Sequence, residues 1–498
     1  MKSLFGLSVL LNIGLILTVS AQMPVRKGPA APEEIRKAKV ELEKDFNNAA
    51  LHRKFITAMG IRHPDLPSQY RMWIQQYPGN AAIPLALGTY FYNAEMPQAR
   101  EFLLKSAEID SGNARIWNML FVDARIRGEN QLSDVYLNKA MLADTSNIGY
   151  KADYIYSLMD KDYSEFKQHA LNFLNRYPEN THSVSLLYFI GRRAKSQAEK
   201  IKYFEKLYHL YPPKKFSFSE SATKELVDMY MQTDPEKALA IVNESGEEGD
   251  WKIRKKLAES LILTRKLEDS KDYTNASIEL NKAVLPRWNY IDDFITIRKS
   301  FLLDKTGNTN AAYDSVAAKF AQMPTDRLYD ALAFYGKKIG RNKLRIDKDI
   351  AAIRNKIAVP AYAFDLGLYT KSSNLKLEDL KGKVTLLTFW FPYCSPCRAE
   401  FPYFQNVINK FSDEEVAYVG INVYPEQDDF VQLFLKNSRY SFIPLRATPE
   451  FETEYYGVSG APQNFVIDKK GRIVFKKFQI DQDNERTLEL MISGLLKM

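Results

Sequence analysis

Phe389-Trp-Phe-Pro-Tyr-Cys394-Ser-Pro-Cys397-Arg-Ala-Glu400-Phe-Pro402 carries both cysteines of a 498-residue chain. Two cysteines dropped independently over that length seldom fall three apart, so the Cys-x-x-Cys spacing asks for a chemical reason. Val384-Thr-Leu-Leu-Thr-Phe-Trp390, just upstream, is short, β-branched and aromatic, the pattern of a buried central strand. Pro396 suits the first turn of a helix, where a missing N–H costs nothing. Strand, tight turn and helix start therefore follow one another, with the cysteines at the helix start. Unpaired N–H groups and the helix dipole favour negative charge there, so Cys394 is expected to ionise more readily than a free thiol.

The stretch resembles the active site of the thioredoxin superfamily, most closely its TlpA/ResA-like branch of exported thiol-disulfide oxidoreductases. Lys381-Gly382-Lys383 precedes the strand, Trp390 stands four residues before Cys394, and Pro402 follows in the helix. Far downstream, Gly460-Ala461-Pro462 leads into Gln463-Asn-Phe-Val-Ile467, then Asp468-Lys469-Lys470-Gly471 and Arg472-Ile-Val-Phe-Lys476, similar to the family's cis-proline loop, strand, turn and strand. The resemblance covers about residues 360–498. It implies an α/β thioredoxin fold over 358–498 and a redox disulfide between Cys394 and Cys397. In that chemistry the Cys394 thiolate attacks a protein disulfide and Cys397 resolves the mixed disulfide. The resemblance also implies that Ala461 and Pro462 face the cysteines and pair with extended substrate, and that Trp390, Tyr393 and Pro396 line or shape the substrate side. Pro462 alone also fits a plain turn proline. Glu400, one helical turn past Cys397, falls where the branch carries a glutamate linked to proton handling; a first-turn glutamate favoured by the helix dipole is the other reading. Two departures stand out: Thr388 where thioredoxin has a buried Asp, and Tyr393 where a Trp usually precedes the first cysteine.

At the other end, Lys2, the apolar run Leu4 to Val19 and Val19-Ser20-Ala21 read as an export signal over 1–21, cleaved before Gln22. An uncleaved membrane anchor is the alternative, against which stand the run's shortness and Asn12. The expectation is an exported, periplasmic bacterial protein. Residues 22–32, rich in Pro, Ala and Gly, read as a linker. With 69 basic and 61 acidic residues intermixed, the net charge of +8 belongs to solvated helix faces, and nucleic acid is not expected as a partner.

Residues 33–357 read as an all-α solenoid of helix pairs. Asn80, Asn113, Asn147 and Asn180 recur in turns about 33–34 residues apart, similar to tetratricopeptide repeats. Ile83, Leu87 and Phe91 line one helix face, and Ala99, Leu103 and Ala107 line the next. Tyr150 and Tyr154 read as inter-helix core. The period loosens after Tyr211. Such solenoids bind other chains on their concave side; supporting the catalytic domain is the competing role.

Rival chemistries fit less well. One Cys-x-x-Cys supplies two ligands, so no metal or other cofactor is expected. All five histidines (His52, His63, His169, His182, His209) lie in the helical region, which disfavours a cysteine hydrolase. A thiol peroxidase would need a threonine where Phe391 stands. A protein-interaction scaffold remains the alternative from another class. The reading is a protein-disulfide reductase, its direction resting on the resemblance alone. Its partners are a disulfide-bearing protein substrate, a thiol electron donor at the membrane, and a protein partner for the helical repeats.

Overall fold

The recurring asparagines turn out to be helix starts. In the computed structural model, which describes residues 28–498 except 160, 288, 458 and 459, the Asn80, Asn147 and Asn180 side chains each accept an N–H two residues on, at 2.9 Å. Each thereby satisfies a backbone donor that the helix leaves unpaired. Asn113, like Asn147 and Asn180, is the N-cap of its helix but turns its amide to Asp110, whereas Asn80 stands one residue before the N-cap Ala81. The repeat visible in the sequence is thus a capping signal. It opens Ala82–Asn93, Ala114–Ile126, Ile148–Leu158 and Thr181–Arg192, each packed on the helix after it. Ile83, Leu87 and Phe91 of Ala82–Asn93 are buried against Ala99, Leu103 and Ala107 of the next helix, Ala99–Ile109. Gly88 brings those two close, for a Cβ there would lie 3.0 Å from Leu103. One repeat further, the Tyr211 hydroxyl bonds the Pro178 carbonyl at 2.7 Å, tying successive turns together. Tyr150 and Tyr154 pack against the helical cores. Helices continue from Pro32 to Ile357, the last pairs being Asp292–Lys305 with Thr309–Gln322 and Asp326–Lys338 with Lys343–Ile357. The expected export signal over 1–21 and most of the linker lie outside the described residues. Among the described residues no helix is long and apolar enough to cross a membrane.

The α/β part follows at once. Its strands are β1 (Val359–Pro360), β2 (Asp365–Gly367), β3 (Asn374–Lys376), β4 (Val384–Trp390), β5 (Val416–Asn422), β6 (Ile443–Arg446), β7 (Gln463–Ile467) and β8 (Arg472–Lys476). Six form one sheet in the order β1-β8-β7-β4-β5-β6, and β2 pairs with β3 in a separate hairpin. Strand β4 lies between parallel β5 and antiparallel β7, and all seven of its residues are buried, as its uninterrupted apolar run requires. Val384, Leu386 and Trp390 face the helices Ser395–Ile408 and Glu485–Leu496, whereas Leu387 and Phe389 face the hairpin and the helix Pro449–Tyr456. Val359 and Pro360, which directly follow the last helix, form the edge strand paired with β8.

The two parts are packed together along much of the helical array. Arg62 reaches Glu426 (2.7 Å), Asn437 the Arg127 carbonyl (2.8 Å), and Arg472 the Asn355 side chain (2.7 Å). Buried Glu225 lies between Arg192 and Lys200, which in turn bind Asp481 and Asp483 on the loop before the last helix. Arg354 lies over Phe475 at 5.1 Å. Successive helix pairs therefore hold successive edges of one α/β domain.

Candidate active site

Trp390 ends β4 with no exposed surface, packed against Phe401, Phe434 and Phe442 at ring distances of 5.2–5.4 Å. This corrects the expectation that it contacts substrate: pointing beneath the sheet's end, it supports the loop from below. The chain then turns sharply, closed by the Cys394 N–H on the Phe391 carbonyl (2.9 Å). Cys394 is the N-cap of Ser395–Ile408, with Pro396 in the first turn as the spacing predicts. Its Sγ accepts the Cys397 N–H at 3.2 Å. The two cysteines are joined as a disulfide, Cα to Cα 5.3 Å. Cys397 has no exposed surface and Cys394 is 4% exposed, so Cys394 is the one of the pair that reaches the surface.

The second motif meets the first at the same end of the sheet. Gln463 pairs with Phe389, which sets the preceding Pro462 beside the Trp390-Phe391 turn. The Ala461–Pro462 peptide is cis, and Ala461 packs against the cluster that contains both cysteines. The Phe391 and Tyr424 rings meet at 4.5 Å, tilted by 54°, with Tyr424 exposed.

Glu400 is buried under the same helix. Its carboxylate accepts the Asn464 side-chain amide at 3.0 and 3.2 Å and the Ile480 N–H at 2.7 Å. Burial outweighs these bonds and pushes its pKa up to about 7. Asn464 is the β7 partner of Thr388. The Thr388 hydroxyl, where thioredoxin has its Asp, is shielded and makes no hydrogen bond. The carboxylate on this face is Glu400.

Tyr393 is turned toward the helical part, against Phe430 (5.5 Å) and near Asp123, Tyr92 and Glu95, and burial pushes its phenol well above the usual tyrosine range. Other residues here escaped sequence reasoning. Arg398 donates to the Arg125 carbonyl at 3.2 Å, with its Nη2 3.5 Å from the Ser395 hydroxyl, so a cation lies over the first turn. Burial, with Arg125 nearby, pulls Arg398 down to about 10, leaving it charged at neutral pH. Gln427 accepts the Tyr393 N–H (2.9 Å). Glu452 takes a backbone hydrogen bond from Gly460 at the cis-proline loop, and burial raises it to about 7. Gln427 is brought in by the turn after β5, Arg398 by the first turn of the helix that Cys394 caps, and Glu452 by the helix Pro449–Tyr456. Among the described residues no three metal-ligating side chains gather in one place.

A dithiol pair at the N-cap of the helix after a central strand, with a cis-proline opening the adjacent antiparallel strand, defines a thioredoxin-fold redox domain. Residues 356–492 match the family model described as Redoxin. The thiol-disulfide oxidoreductase ResA of Bacillus subtilis (strain 168) is 35% identical over 105 residues, 21% of this chain and 58% of its own. That of Bacillus thuringiensis subsp. konkukian is 30% identical over 122 residues, 24% of this chain and 69% of its own. The thiol:disulfide interchange protein HelX of Rhodobacter capsulatus is 33% identical over 110 residues, 22% of this chain and 58% of its own. The chain thus spans under two thirds of the ResA of Bacillus subtilis. Through this C-terminal domain the chain belongs to the TlpA/ResA-like family of thioredoxin-fold proteins.

Proposed function

We propose that the chain is an extracytoplasmic protein thiol-disulfide oxidoreductase that works as a disulfide reductase. The observation that carries this is Cys394 at a helix N-cap, its sulfur receiving the Cys397 N–H at 3.2 Å. In the reduced protein the Cys394 thiolate attacks one sulfur of a substrate disulfide, and the other sulfur leaves as a thiolate that takes up a proton. Cys397, shielded from water, gives its proton to the Glu400 carboxylate and attacks the Cys394 sulfur. The second substrate thiolate leaves and is protonated. Two electrons have then passed from the dithiol to the substrate, whose two thiols take one proton from Cys397 by way of Glu400 and one from water, and the Cys394–Cys397 disulfide remains for a thiol donor to reduce. The backbone at Ala461 and the ring of Pro462 offer an edge for extended substrate beside Phe391 and Tyr424.

Extracytoplasmic placement rests on the N-terminal apolar run and the family. The reducing direction and a membrane-held thiol donor rest on the family. For the helical array we propose positioning of the α/β domain, supported by the contacts that run from Arg62 to Asn355; any further protein partner would bind its remaining faces. The test is trapping. Reduced Cys397→Ser protein mixed with a disulfide-bearing protein such as insulin should hold a covalent adduct on Cys394, released by added thiol. Absence of the adduct while wild type reduces the same substrate would refute this route.

A further inference from the structure

Gln427 links the Tyr393 N–H, one residue before Cys394, to the helical part. It closes the short turn Pro425–Gln427 after β5 and is 3% exposed. Its Oε1 accepts the Tyr393 N–H at 2.9 Å, and its Nε2 donates to Glu95 Oε2, also at 2.9 Å. Glu95 is held by the helical array. It sits at φ +56° in the turn after Ala82–Asn93, which is closed by the Glu95 N–H on Tyr92 and the Met96 N–H on Phe91 (3.0 and 2.9 Å).

A carboxylate only accepts, and a backbone N–H only donates. With Glu95 on one side, the Gln427 amide has one satisfactory orientation, NH2 toward Glu95 and carbonyl toward Tyr393. Remove Glu95 and the amide is free to rotate away from Tyr393. The turn Phe391–Cys394 has two amides held by side chain or backbone, Tyr393 on Gln427 and Cys394 on Phe391. Losing the first loosens the aim of Cys394 Sγ at the Cys397 N–H.

We propose that Glu95 is a positioning residue for the dithiol: through Gln427 it orients the turn that presents Cys394, so the helical domain sets the redox poise of the α/β domain. The inference rests on the exchange chemistry proposed above and names the regulator of that site. The reduced state gains most from the ordered turn, because only there does Cys394 carry the charge that the helix start stabilises. Loosening the turn therefore favours the disulfide.

The test equilibrates the full-length protein in dithiothreitol redox buffers and reads the oxidised fraction of Cys394–Cys397 by thiol alkylation. Glu95→Ala and Gln427→Ala should each shift the equilibrium toward the disulfide about fivefold, the worth of one hydrogen bond, or about 20 mV. The double variant should shift no further than either alone, since both break one linkage. Exchanging the two groups, Glu95→Gln with Gln427→Glu, restores donor and acceptor and should recover the wild-type constant. Arg62→Ala removes only the surface ion pair to Glu426 at the same interface and should leave it unchanged. A wild-type constant in Glu95→Ala, additive effects in the double variant, or an equal shift in Arg62→Ala would each overturn the linkage. A wild-type dithiol that never equilibrates with dithiothreitol would instead sink the exchange chemistry itself.

Discussion

Cys394→Ser is expected to lower disulfide-reducing turnover by roughly 10³-fold or more, the scale seen when an enzyme loses its nucleophile. A serine hydroxyl neither ionises in the neutral range nor attacks sulfur. Cys397 offers no substitute, because it has no exposed surface. The replacement is nearly isosteric, and the oxygen at the N-cap still accepts the Cys397 N–H, a role serine fills well. Folding should therefore survive, and the loss should fall on chemistry. The check is an insulin-type reduction assay beside a thermal melt of the reduced proteins. Residual turnover within tenfold of wild type would place the reaction elsewhere.

Glu400→Gln is expected to slow resolution of the mixed disulfide by about 10²- to 10⁴-fold, the range of a lost general base. The wild-type step should quicken as pH rises through about 7, where the carboxylate forms, and the variant should lose that limb. Stability should respond with the opposite slope. With the folded pKa raised from 4.5 to about 7, the folded state holds this proton more tightly. Glu400's contribution is therefore fully present below pH 4.5 and is lost as pH rises through 7, by up to roughly 3 kcal/mol. The variant should show a flatter dependence of melting temperature over that window. Its amide faces Asn464 Nδ2, a donor already shared with the Phe478 carbonyl, so some stability is lost at every pH. Single-turnover kinetics across pH, read with melts, separate the two effects. An unchanged pH profile would return Glu400 to a purely structural role.

What could be read in advance was whatever local chemistry dictates. The buried strand before Trp390, the cap at Cys394 and the asparagine at each repeat start all follow from residue type and spacing. Pro462 was legible because it belongs to a motif with a fixed neighbour, the strand from Gln463. What stayed hidden depends on long-range packing. Trp390 reads as aromatic and near the cysteines, yet alternation along β4 sends it into the core. Tyr393 is one residue from Cys394, but its ring direction depends on helices some three hundred positions earlier. Gln427 and Glu95 match no pattern, because an amide and a carboxylate on turns acquire meaning only once two domains are packed; Arg398, though next to Cys397, gains its role from the Arg125 carbonyl of the helical part. Asn464 was quoted within its strand, but its bonds to Glu400 required the register with Thr388.

The central claim is that the start of the helix Ser395–Ile408 stabilises negative charge on the Cys394 sulfur. Burial of that sulfur opposes ionisation, whereas the Cys397 N–H, the helix dipole and the Arg398 cation favour it, and we expect these three to win. The most direct measurement is the pH dependence of Cys394 alkylation in the reduced Cys397→Ser protein. A midpoint clearly below the free-thiol value of about 8.5 is the predicted result; a midpoint at or above it would contradict the account.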